Sequence, residues 1–434
     1  MTIYVILYSF LICIAMSMGI FALTLPEVAV YTNMFYYTKN PMISRSNFQN
    51  AYLNFNEQAA LQEKPLVTEI YFDYYFNEKR ELYKFNQEED YIRLTSLPVK
   101  DICLDQSESV VAYYYSYYNS EADADVGAML VLSTESITMP RDSQSFFANN
   151  ILWGATDNED KLSILTKIVF NNIDTSVVVD AQSMFQGCSE LEELDVSAFN
   201  THGVTNMSRM FRACRGLTSL DLRSFDTKNV KAMSAMFFNC SGLTSLNLSS
   251  FNVENVTSFG EMFYNCQKLT SLDLSSFDTK SAINMYAMFQ YCSRLEELNI
   301  DNFNTSKVTT MMAMFHNTQI KYLDLSHFDT SQVTDMSYMF VVCQATEVID
   351  ISSFDTSKVK NMACMFTSCE SLTTIYVGKD WSTDSLTNSE KMFLNCPSLL
   401  NWNENGKDIG ATYAYAGMNP ATGKYGYLTL KKAG

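Results

Sequence analysis

Apolar residues along most of the second half of the chain recur in one fixed order. Methionine-phenylalanine pairs end at Phe185, Phe211, Phe237, Phe263, Phe289, Phe315, Phe340, Phe366 and Phe393. The spacings are 26 residues five times, then 25, 26 and 27. A period of this length marks an array of supersecondary units rather than one folded domain. Within a unit, Val204, Met207, Met210 and Phe211 fall at helical spacing, which predicts a short helix. Leu220 and Leu222 then alternate with Ser219, Asp221 and Arg223, the pattern of a strand with one buried face. Phe225-Asp226-Thr227 closes the unit, since Asp and Thr favour turns and caps. One unit cannot bury its apolar side alone, whereas stacked units can. The expected fold is therefore an α/β solenoid of about nine coils over 161–402. It would carry a parallel sheet on one face, short helices on the other, and inside it columns of Met, Phe and Leu.

Upstream the pattern differs. Residues 27–160 predict a small β-rich α+β domain covering one end of the solenoid. In it a helix spans Asn47–Glu63, with Tyr52, Phe55 and Leu61 along it. Strands are expected at Leu66–Phe72, Glu81–Phe85, Ser109–Tyr113 and Ala128–Leu132. The run Tyr113, Tyr114, Tyr115, Tyr117, Tyr118 reads as a strand with aromatics on both faces or as an exposed adhesive patch. Leu165, Ile168 and Phe170 followed by Ile173-Asp174-Thr175-Ser176 read as a degenerate first coil without a Met-Phe pair. Residues 403–434 leave the repeat and read as a short β cap. At the start, Ile3–Leu25 holds 23 uncharged residues, long enough to cross a bilayer. Residues 1–26 are thus a membrane anchor or a cleaved signal peptide, and either places the rest outside the cytoplasm.

Charge narrows the partners. With 30 basic and 48 acidic residues the chain carries −18, which repels phosphate backbones and disfavours nucleic acid. The 11 cysteines form no CxxC pair and meet no histidine cluster, so zinc signatures are missing, and three histidines offer little for acid–base chemistry. No metal site, cofactor or catalytic residue is expected, and the reading is non-enzymatic. Eight cysteines form a column of their own: Cys188, Cys214, Cys240, Cys266, Cys292, Cys343, Cys369 and Cys396, with Thr318 in the remaining unit. Replacement by Thr suits a small buried filler better than a disulfide ladder. On the outward strand face, Asp195, Asp221, Asn247, Asp273, Asn299, Asp324 and Asp350 form one polar column. Beside it run Glu193, Ser219, Ser245, Ser271, Glu297, Tyr322 and Val348. This face reads either as a solvated strand surface or as an acidic groove for a protein, glycan or cationic ligand.

Units such as Phe303-Asn304-Thr305-Ser306-Lys307-Val308-Thr309-Thr310-Met311 and Phe328-Asp329-Thr330-Ser331-Gln332-Val333-Thr334-Asp335-Met336-Ser337-Tyr338-Met339-Phe340 have a known likeness. They resemble the 26-residue leucine-rich repeat of bacterial surface proteins of the BspA type, over roughly 165–434. The resemblance implies an extracellular, anchored protein engaged in adhesion to host or bacterial partners, with no family-wide catalytic residue. A wall-sorting signal is not visible at the C-terminus, which turns attention to residues 3–25 as the membrane tether. The expected function is recognition or adhesion through the concave sheet. A structural spacer displaying the N-terminal domain is the alternative.

Overall fold

A computed structural model describes residues 41–74, 82–84, 91–93, 97–103, 110–119, 124–133, 135–148, 165–399 and 427–431. The apolar segment Ile3–Leu25 and most of the expected C-terminal cap lie outside the described residues.

Among the described residues, the N-terminal part contains one helix, α1 (Arg45–Leu61), and one five-stranded sheet. Ser44 caps α1, its hydroxyl accepting from the Asn47 backbone N–H at 3.3 Å. Phe48, Tyr52 and Phe55 face inward, whereas Leu61 in the last turn is 74% exposed. The sheet contains β1 (Val67–Tyr74), β4 (Val99–Asp101), β5 (Val110–Asn119), β6 (Ala124–Ser133) and β7 (Lys167–Phe170), in the order β4-β5-β6-β1-β7. A separate antiparallel pair joins β2 (Leu82–Lys84) to β3 (Tyr91–Arg93). The tyrosine run lies on β5, where Tyr114 packs in the main core and Tyr113 in a small cluster on the opposite face. Aromatics on both faces of a strand is therefore the correct description of these two residues.

β1 pairs in parallel with both β6 and β7, and β7 lies where the repeats begin. The N-terminal part thus shares its sheet with the start of the array, and one core runs from Ile43 to Leu428.

The repeats stack in parallel register. The corner that precedes each Met-Phe pair forms a ladder of parallel bridges, Asp180–Asn206–Ala232 and then Ser258–Asn284–Thr310–Asp335–Asn361–Asn388. On the strand side, β8 (Ser271–Asp273) pairs with β9 (Glu297–Asn299), and β10 (Val348–Ile351) pairs with β11 (Thr374–Val377). β12 (Thr429–Leu430) adds to β11 after the repeats end. Inside, the Met-Phe phenylalanines from Phe185 to Phe393 form a single file, with centroids 5.6–5.8 Å apart and rings within 12° of parallel.

The expected short helices do not form. Around each Met-Phe pair the chain makes turns, and alternate N–H groups leave the repeat. Met207, Arg209, Phe211 and Ala213 donate to Ala232, Ser234, Met236 and Phe238 of the next repeat. The amides between them, Met210, Arg212 and Cys214, donate three residues back. A helix would send every N–H four residues back, within its own segment. Two residues per repeat take left-handed φ to produce the alternation, such as Arg209 (58°) and Ala213 (61°). The 3.6-like spacing of apolar residues therefore reflects which side of a tight ribbon faces inward.

The first Met-Phe equivalent is also not where the sequence places it. Phe147 stacks on Phe185 at 5.2 Å and 7°, and its N–H donates to the Met184 carbonyl. Ser145 has left-handed φ like its counterparts. Asp142–Phe147 is thus the cryptic first member of the ladder, separated from its strand Lys167–Phe170 by an insertion.

Candidate functional site

The core positions named from the sequence all lie inside the stack. Phe185, Phe211, Phe237, Phe263, Phe289, Phe315, Phe340, Phe366 and Phe393 are all buried. So are Cys188, Cys214, Cys240, Cys266, Cys292, Cys343, Cys369 and Cys396, and none of the described cysteines forms a disulfide. Each of these eight thiols instead donates to a phenylalanine carbonyl of the preceding unit, at 2.9–3.2 Å. Burial pushes Cys188, Cys240 and Cys292 up to about 12, so they stay protonated donors. Thr318 is the exception: its hydroxyl turns back to the carbonyl of Phe315 in its own repeat, at 3.0 Å. That unit is one residue shorter, with Ile320 two positions after Thr318, whereas Leu295 follows Cys292 by three.

A second buried column was missed from sequence. Thr201, Thr227, Thr279 and Thr356 each bridge to the next repeat twice. Thr227, for instance, donates to the Asn252 carbonyl at 2.9 Å and accepts from the Asn252 N–H at 2.8 Å. The recurrent Thr of Phe-Asp-Thr was the available signal. Its role is inter-repeat bonding as much as turn formation.

The polar strand-face column has a structural duty as well as an exposed side. Asp195, Asp221, Asn247, Asp273, Asn299, Asp324 and Asp350 each accept, through Oδ1, the backbone N–H two residues on, at 2.8–3.1 Å. These are Asx turns that end the strand. Hydrogen bonds from Ser197 hold the Asp195 carboxyl below its ordinary range, and the Arg223 side chain brings Asp221 to about 2. Neighbouring carboxylates in the column repel: Asp221 raises Asp195 and Asp350 raises Asp324, although each of these two stays below its ordinary range on balance.

The adjacent column is free of that duty and varied. Glu193, Ser219, Ser245, Ser271, Glu297, Tyr322 and Val348 are all exposed. Tyr322 is 78% exposed, the highest value among the large hydrophobic residues described. It borders an open depression of about 620 Å³, lined by Ser271, Leu272, Asp273, Glu296, Glu297, Leu298, Asn299 and Lys321. Lys321 is held by Glu296 at 2.6 Å. Strand pairing is present on either side, at β8–β9 and β10–β11, and absent over Lys321–Asp324, as it also is over Glu193–Val196.

Among the described residues no group of three or more His, Cys, Asp and Glu is placed to hold a metal ion. Nor is any helix among them long and apolar enough to cross a membrane.

Four overlapping segments of the chain, residues 157–269, 216–299, 238–345 and 292–405, match one protein family, described as "Mycoplasma protein of unknown function, DUF285". Together they span well over half of the 434 residues, and their overlap reflects the internal repeat. No curated protein matches the chain.

Proposed function

The chain belongs to the DUF285 family, and from the stacking of its repeats we propose that it is a leucine-rich-repeat solenoid of the bacterial surface type, acting in recognition or adhesion. The partner, an extracellular protein or glycan, docks on the strand face, while residues 3–25 supply the membrane tether or export signal.

One observation carries this reading. Columns dictated by packing repeat the same residue: Met, Phe and Cys inside, Asp or Asn at the strand end. The exposed column reads Glu193, then Ser219, Ser245 and Ser271, then Glu297, Tyr322 and Val348, and it carries Tyr322 at 78% exposure. Nothing in the fold requires a tyrosine there, and tyrosine is among the side chains that carry most binding energy where a partner covers them.

The test must spare the Asx turns. Truncating Asp221, Asp273 or Asp324 to Ala removes the acceptor of an Asx turn and lowers stability for a reason unrelated to binding. Changing all three to Asn keeps the Oδ1 acceptor, as Asn247 and Asn299 do naturally, and removes only charge. A protein with Glu193, Glu297 and Tyr322 changed to Ser and those three Asp changed to Asn should lose attachment to host cells and its glycan-array signal. Its thermal unfolding should stay near that of the parent. Attachment equal to the parent's would sink the assignment of this face.

A further inference from the structure

We propose that the depression beside Tyr322 is a subsite for a lysine- or arginine-bearing segment of a partner polypeptide. The inference rests on the strand-face reading above and names its ligand chemistry.

Three observations converge there. First, Tyr322 presents its ring to solvent, and Val348, 48% exposed, occupies the same column one repeat on. A free aromatic face is the platform on which a cationic side chain gains electrostatic stabilisation and lays down its aliphatic stem. Second, the charges around the ring are unbalanced. Lys321 pairs with Glu296 and lies within electrostatic reach of Glu297, and Lys431 pairs with Asp350 and lies within reach of Asp324, so two lysines stand among five carboxylates once Asp273 is included. Glu297 and Asp273, which line the depression, and Asp324, two residues beyond Tyr322, have no ion-pair partner among the described residues. Third, the ring and the carboxylates of Asp273, Glu296 and Glu297 border the same open depression of about 620 Å³, so a side chain laid on the ring meets them.

The same arrangement disfavours acidic glycans and nucleic acid, which would bring more negative charge to carboxylates already repelling one another. Overall acidity alone does not produce the subsite. A chain of −18 attracts any polycation weakly, and only a local site depends on one uncharged ring.

Fluorescence anisotropy with a labelled peptide of alternating lysine and glycine, at physiological salt, separates these cases. An alternating glutamate–glycine peptide serves as the counter-probe. The full chain should bind the lysine peptide and leave the glutamate peptide free. Tyr322→Ala should weaken binding about fivefold, as loss of one exposed cation–π contact requires, while Tyr322→Phe should bind as the parent does. Glu297→Gln should weaken it by a similar factor. Equal affinity for the Ala and Phe variants, or binding of the glutamate peptide, overturns the subsite. If the peptide result is negative while the strand-face variant still loses cell attachment, the ligand chemistry is wrong and the recognition face stands. If attachment is also unaffected, both fall.

Discussion

At the scale of single residues, the left-handed positions dominate. The position two after each Met-Phe phenylalanine is Gly187, Asn239, Asn265, Asn317 or Asn395 in five repeats, residues that tolerate φ near +60°. Val342 holds the same place at φ 58°, where a β-branched side chain is strained. Val342→Asn keeps the N–H that bonds to the Thr367 carbonyl and should raise unfolding free energy by about 1 kcal/mol in denaturant titration. No gain would mean that Val342 packing repays the strain. His316 is the second telling residue. It is half-buried beside Tyr291, within 3.0 Å of Gln290, and desolvation brings it from 6.5 down to about 4. The unfolded chain takes up that proton below about pH 6.5 and the folded chain only below about 4, so stability falls as pH drops through this window. His316→Gln should flatten the dependence between pH 6.5 and 4. A slope identical to that of the parent would assign it to other groups.

At the scale of the element, the sequence showed the period and the buried columns but mistook the local backbone. Met207, Met210 and Phe211 fit a helical template, yet template matching reads only which side is apolar. It cannot see that Phe211 N–H bonds to Met236 rather than within its own turn. Arg209 and Ala213 gave no warning either, since neither is a residue that advertises left-handed φ. The Asp column was legible as exposed, whereas its Asx turns depend on a contact two residues away. The cysteine column was legible because Thr318 substitutes for it, although the thiol's acceptor was not. Phe146-Phe147 escaped notice because an insertion places it 38 residues before Phe185 instead of 26. Length changes concentrate at particular joints. The long repeat inserts near Gly378, where a Cβ would lie 1.9 Å from the Ser352 carbonyl oxygen. Gly378→Ala should therefore cost about 1–3 kcal/mol in thermal or denaturant unfolding. A neutral result would show that the joint between β10 and β11 yields more readily than its spacing implies.

At the scale of the whole molecule, the five-stranded N-terminal sheet, the repeats and β12 share one core, so the array has no bare end among the described residues. Stability in such a stack is a sum over neighbouring repeats, and most interfaces are built from the same Phe, Thr and thiol contacts. A rigid ladder of this kind fixes how far apart exposed side chains stand, which is what a recognition face made of one residue per repeat requires. Electron–electron resonance between nitroxides measures that spacing directly. Labels at Glu193 paired with Glu297, and at Glu193 paired with Val348, probe positions four and six repeats apart, in a background with Cys13 and Cys364 changed to Ser. In-register stacking predicts about 19 Å for the first pair and about 29 Å for the second, in proportion to a strand separation of about 4.8 Å. Broad distributions, or two distances that do not scale with the number of repeats between the labels, would contradict it.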